Sequence, residues 1–165
     1  MTTATIAYVG LGGNVGEAAA TLREAFDALD ALPQTRLLRA SRLYRTPAWG
    51  LREQPDFTNA AVKLETGLDA RALLDALLDL EREFGRDRGQ DAERWGPRTL
   101  DLDLLLFGDA AIDETGLHVP HPHLHERAFV LVPLFEIAPG TRIPGHGTVR
   151  AAFDAVAKDG IEALP

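Results

Sequence analysis

Five residues, Leu100-Asp101-Leu102-Asp103-Leu104, alternate apolar and acidic without interruption. Side chains of a strand point to opposite faces in turn, so this pattern is satisfied by a strand with leucines on a core and both carboxylates on the other side. The acids then stand about 6 to 7 Å apart at the backbone, poor neighbours unless solvent or a cation separates them. Immediately upstream, Arg94-Trp95-Gly96-Pro97-Arg98 places two permanently charged, fork-shaped cations around an aromatic residue and a turn. One reading is a solvated strand face beside a basic turn. The other is a phosphoryl-transfer site, in which the carboxylates suit hard divalent ions and the arginines suit phosphate oxygens.

The remaining pattern supplies a scaffold for such a strand. Residues 3–11 are β-branched and apolar and read as a strand, and the glycine run at 10–16 reads as the turn that ends it, needing positive φ and close packing. The run fits neither a dinucleotide loop, because its third glycine falls one place late, nor a phosphate loop, because it lacks Lys-Ser/Thr. Residues 17–32 carry Leu22, Ala25, Phe26 and Leu29 at helical spacing and stop at Pro33. Residues 35–44 and 57–66 read as strands, and the segment 45–56 between them, with Pro47 and Pro55, is too long for a tight hairpin. A second helix spans 70–84 with Gly85 as its stop signal, and residues 85–94 form a charged segment expected to be mobile. With 100–107 as the fourth strand the order is βαββαβ. The fold class expected is α+β: a ferredoxin-like antiparallel sheet with helices on one face and a C-terminal extension that adds a last helix.

Composition limits the alternatives. A chain of 165 residues fits one domain, 1–165, and is long enough for a core without staples. It has no cysteine, so disulfides and thiol chemistry are out. No leader-like N-terminus and no apolar run of membrane-spanning length occur, and a cytoplasmic location is expected with no membrane partner. A net charge of −8 argues against a general nucleic-acid surface. Five arginines nevertheless fall within residues 82–98, which fits one small polyanion or pairing with the neighbouring acids. The histidines at 118, 121, 123 and 125 are interrupted by Pro120 and Pro122, which spoils regular zinc-ligand spacing.

The stretch 94–103, continuing through Leu104-Leu105-Leu106-Phe107-Gly108, resembles the signature of the 6-hydroxymethyl-7,8-dihydropterin pyrophosphokinase family, and the resemblance runs nearly end to end. It implies transfer of pyrophosphate from ATP to 6-hydroxymethyl-7,8-dihydropterin in folate biosynthesis, giving the diphosphate and AMP, with two magnesium ions and small-molecule substrates only. No obligatory protein partner is evident. Matched position by position, the resemblance implies a pterin pocket of Thr46, Pro47, Trp49, Phe57, Asn59, Trp95 and Phe129. A flat heterocycle stacks between aromatic faces there, and an amide reads its polar edge. The ATP contacts it implies are Glu81, Arg88, Arg94, Trp95, Arg98, His121 and Arg127, with Asp101 and Asp103 as magnesium ligands. Arg88, Arg94, Asp101 and Asp103 are the implied catalytic set, and no general base is assigned.

The chain departs from that family pattern at Trp49 and Phe57 in the pterin pocket, and at Leu78, Gly116, His118 and Pro122 on the nucleotide side. Three other functions compete. Nucleotidyl transfer would set a Gly-Ser pair shortly before Asp-x-Asp, whereas here the glycine run lies almost ninety residues upstream. A ferredoxin-like RNA-binding module would need an aromatic-rich central strand that this acidic chain lacks. A catalytically silent interaction protein would keep the fold alone.

Overall fold

The structure is a computed structural model that describes residues 4–14, 17–47, 56–86 and 100–165. Two strand–helix–strand units interleave in its centre. Strand β1 (Thr5–Gly13) leads through α1 (Ala18–Asp30) to β2 (Thr35–Ala40) and β3 (Tyr44–Thr46). Strand β4 (Phe57–Thr66) leads through α2 (Ala70–Arg86) to β5 (Asp101–Phe107). β1 sits between β4 and β5, and all pairings are antiparallel. This is the ferredoxin-like order expected from the sequence.

The stretch 35–44 is not one strand. β2 pairs with the C-terminal half of β4 and β3 with its N-terminal half. Between them Ser41 replaces regular pairing: its amide donates to the Ala61 carbonyl at 2.8 Å and its hydroxyl accepts from the Ala61 amide at 2.9 Å. Here the side chain competes with the ladder, as serine does readily. Arg42 and Tyr44 then fasten the new strand to a helix on the far side of the sheet. The Arg42 amide and the Tyr44 hydroxyl both donate to Glu136, the latter at 2.5 Å.

One face of the sheet is covered by α1 and α2. Val9, Leu11, Val62, Leu64, Leu102 and Leu104 meet Leu22, Leu29, Leu73 and Leu77 there in a closed core. The alternating leucines of β5 therefore go where their period sends them.

The opposite face is also covered, which extends the one-sided arrangement expected. After a hairpin of β6 (Ile112–Glu114) and β7 (Leu117–Val119) and a 3-10 turn (Leu124–Glu126), the chain forms α3 (Ala128–Ile137) and later α4 (Val149–Ala155). Leu131, Leu134 and Ile137 of α3 and Val149 and Ala152 of α4 pack on Tyr8, Ala61, Leu105 and Leu106. A bulge between Tyr8 and Val9 breaks the alternation of β5 after Leu104, so Leu105 and Leu106 both join this second core. Apolar cover thus begins directly beyond Asp103 and leaves the rest of that face as a cleft. A short strand, β10 (Glu162–Ala163), is added to the edge at β3. Among the described residues no helix is long and apolar enough to cross a membrane.

Candidate active site

Asp101 and Asp103 stand on the second face of β5, half-buried where the leucines beside them are buried. β1 faces them with glycine: Gly12 is opposite Asp101 and Gly10 opposite Asp103. Among the described residues no strand lies beside the outer edge of β5, and two contacts satisfy backbone groups along it. The Leu102 amide donates to Glu81 Oε2 of α2 at 2.7 Å, and the Leu105 carbonyl accepts from the His121 amide at 3.0 Å. Protecting an open strand edge in this way is a general requirement. It also brings Glu81 and His121 to the carboxylates.

A cavity of about 340 Å³ opens over the glycines, lined by Thr46, Pro47, Phe57, Asn59 and Phe129 together with Asp101, Asp103 and Arg127. The Asn59 side chain lies across β1, and a Cβ at Gly12 would come within 2.8 Å of its Nδ2, so any larger residue there would displace the Asn59 amide. Thr46 and Asn59 are 3% and 8% exposed, yet among the described residues Thr46 Oγ1 and Asn59 Oδ1 have no hydrogen-bond partner. Buried polar atoms of this kind cost free energy until something pairs with them. Two such atoms beside the rings of Phe57 and Phe129 suit a flat heterocycle with hydrogen-bonding edges.

A second cavity, about 460 Å³, lies along α2 and the β7 side. Its apolar wall includes Leu74, Leu78 and Leu117, and its polar groups include Glu81, His121, His123 and Arg127. Asp103 and Arg127 line both cavities, so the two spaces share a charged wall. Arg127 precedes the first turn of α3 with its guanidinium 5.7 Å from the Phe129 ring centre, a place where the helix start and the side chain both favour an anion.

His121 Nδ1 accepts from the His123 amide at 3.3 Å. A backbone amide only donates, so the neutral ring carries its proton on Nε2. Burial lowers the His121 pKa below its ordinary 6.5; Asp103 opposes that shift, while Arg127 and His123 add to it. The ring is therefore a neutral donor.

Of the residues singled out from the sequence, Glu81, Asp101, Asp103, His121 and Arg127 gather on the second cavity and its shared wall, with Asp101 on the first-cavity side. Thr46, Pro47, Phe57, Asn59 and Phe129 gather on the first. Trp49, Arg88, Arg94, Trp95, Arg98 and residues 87–94 of the segment expected to be mobile lie outside the described residues, while Gly85 and Arg86 of that segment continue α2 past the expected stop. The departing positions Leu78, Gly116, His118 and Pro122 all line the second cavity. His118 is held by Asp113 at 2.7 Å, and His125 stacks on His146 at 3.8 Å between ring centres.

The glycine run differs from its reading as a turn. Gly10, Gly12 and Gly13 belong to β1, none with positive φ, and Gly10 and Gly12 form part of the cavity wall. The signal was present: Gly-x-Gly has the same period as Asp-x-Asp, and small residues on one strand make room beside acids on the next. The donor set fits a hard divalent cation. Asp101 and Asp103 offer carboxylate oxygens at one opening, and Asp103 has no arginine or lysine ion pair among the described residues.

An interleaved α+β sheet with an acidic pair at one cavity, one member of which it shares with a second, defines a ferredoxin-like domain with an enzyme-like cleft. The model of the 7,8-dihydro-6-hydroxymethylpterin-pyrophosphokinase family matches residues 8–139, and the chain belongs to that family. It is 46% identical over 158 residues to the 2-amino-4-hydroxy-6-hydroxymethyldihydropteridine pyrophosphokinase of Pseudomonas aeruginosa, covering 96% of both chains. It is also 46% identical over 158 residues to the protein of that name from Methylorubrum extorquens, covering 96% of this chain and 98% of that one. Among solved structures it resembles a Plasmodium falciparum HPPK-DHPS at a TM-score of 0.73 and 15% identity. That likeness covers 93% of this chain but only 45% of the Plasmodium chain, and at this identity it speaks for the fold.

Proposed function

We propose that this chain transfers a pyrophosphoryl group from ATP to the hydroxymethyl oxygen of 6-hydroxymethyl-7,8-dihydropterin. The pterin occupies the first cavity, where Thr46 Oγ1 and Asn59 Oδ1 gain partners and Phe57 and Phe129 flank the ring. ATP occupies the second, with its phosphates directed to the wall that Asp103 and Arg127 share. The observation that carries this reading is that shared wall: two differently lined cavities meet only a side chain apart, as a transfer between two bound substrates requires.

The hydroxymethyl oxygen forms a bond to the β-phosphorus while the bond from that phosphorus to the bridging oxygen of the α-phosphate breaks. AMP leaves with the bridging oxygen, and the hydroxyl proton passes to solvent. Arg127 and the start of α3 hold negative charge near the transferred group, and His121 donates from Nε2 to a phosphate oxygen without titrating. Arg88 and Arg94 add positive charge there, and Trp95 and Arg98 complete the substrate contacts, on the strength of the resemblance in their motif. Two magnesium ions on Asp101 and Asp103 would supply charge neutralisation of the triphosphate and lower the pKa of the attacking hydroxyl.

Incubation with ATP, magnesium and the pterin alcohol should give AMP and the pterin diphosphate in equal amounts. Formation of ADP would overturn the assignment, because it places the attack on the γ-phosphorus.

A further inference from the structure

Residues 160–164 pack against β3 and Pro47, behind the wall of the first cavity. After α4, Lys158 Nζ donates to the carbonyls of Phe153 and Val156, both at 2.7 Å, which fixes where the tail leaves the helix. Gly160 then turns with φ of +82°, and a Cβ there would come within 2.8 Å of Pro47 Cγ. Glu162 and Ala163 pair with Arg45 and Tyr44, and the Leu164 amide donates to the Leu43 carbonyl at 2.8 Å. Arg45 meets Glu162 at 2.6 Å and Asp56, the neighbour of Phe57, at 4.0 Å. These contacts fall along the back of β3, the strand that carries Thr46 and leads to Pro47. The tail lies beyond residues 8–139, which the family model matches.

We propose that residues 160–164 are a positioning strap for the first cavity, holding Thr46 and Pro47 at the spacing from Asn59 and Phe57 that the pterin needs. β3 is only three residues long and is held on one side by β4. A strand so short gains little from one ladder, and β10 gives it a second. The ion pairs with Arg45 are exposed and contribute little on their own. The backbone pairing and the fit of Gly160 against Pro47 carry the effect. A side chain at residue 160 would be strained at that φ and would push the proline toward the cavity.

The proposal rests on the pterin reading of the cavity, and its test separates the two. Gly160→Val disturbs the fit, and Glu162→Pro removes a ladder amide together with the nearer ion-pair partner of Arg45. In the ligand-free full-length chain, amide hydrogen exchange over residues 43–47 should quicken in both variants while exchange in β1 stays as in the parent. In the AMP assay both variants should raise KM for the pterin alcohol by about tenfold and leave KM for ATP nearly unchanged, since misplacing a cavity wall weakens the substrate it touches. Unchanged exchange at 43–47, or equal rises in both KM values, would overturn the strap. A parent protein that makes no AMP would refute the transfer reading, while the exchange measurement still decides whether the tail holds β3.

Discussion

Glu81 and Leu102 are joined by a hydrogen bond of 2.7 Å from the strand amide to the helix carboxylate, and Leu102 is the residue between Asp101 and Asp103. A helix side chain thereby closes the open strand edge at the point where the strand presents its acids. Glu81→Ala leaves the buried Leu102 amide without that acceptor, at a cost of about 1 to 3 kcal/mol. The expected result in urea denaturation is a loss of that size, together with a fall in activity as β5 loosens. Equal stability of variant and parent would show that the contact does not hold the edge.

Asp101→Asn and Asp103→Asn should separate stability from turnover. Both side chains face the cleft and not the leucine core, so the fold should survive. AMP formation should fall by at least about a hundredfold, as expected when ligands of a catalytic metal are lost. Calorimetry with a non-hydrolysable ATP analogue should lose its magnesium dependence in the same variants. Retained turnover would remove both acids from the mechanism.

Thr46→Val should move stability and binding in opposite directions. The hydroxyl is buried with no partner among the described residues, so an isosteric methyl relieves a desolvation cost of about 1 kcal/mol and raises the melting temperature of the ligand-free protein. The same change removes a polar contact from the pterin and should weaken its binding by about tenfold. A variant that binds the pterin as well as the parent would exclude Thr46 from recognition.

His121 sets a pH dependence of known sign. Its folded pKa lies below the ordinary 6.5, so the unfolded chain takes up the proton first as pH falls. The associated stability is complete above pH 6.5 and declines as pH drops from there toward the folded value. His121→Gln should make the loss of stability between pH 7.5 and 5.5 shallower, measured by denaturant midpoints at each pH. A slope unchanged by the substitution would contradict a neutral, half-buried ring.

Local pattern was enough to place much of this protein. The alternation at 100–104 put leucines in the core and acids on the other face, and the 3.6-residue spacing of Leu73, Leu77 and Leu80 placed the second helix. Family-like motifs in the sequence named the residues of two pockets, and ten of those residues line the cavities described here. Other features depended on partners distant in the chain. Ser41 interrupts a strand because Ala61 lies opposite, Leu105 turns to a second core because of a bulge beside Val9, and the glycine run remains extended because Asn59 and Asp101 flank it.

Periodicity records which face of an element avoids water, since burial depends on the side chain alone, and this the sequence determined. Which residues meet across that face depends on register and on contacts made after more than a hundred intervening residues, as when the tail reaches β3. Tertiary structure alone decided that Asp103 and Arg127 would stand between two cavities, because no local pattern encodes the distance between a strand and a helix that follows it by more than twenty residues.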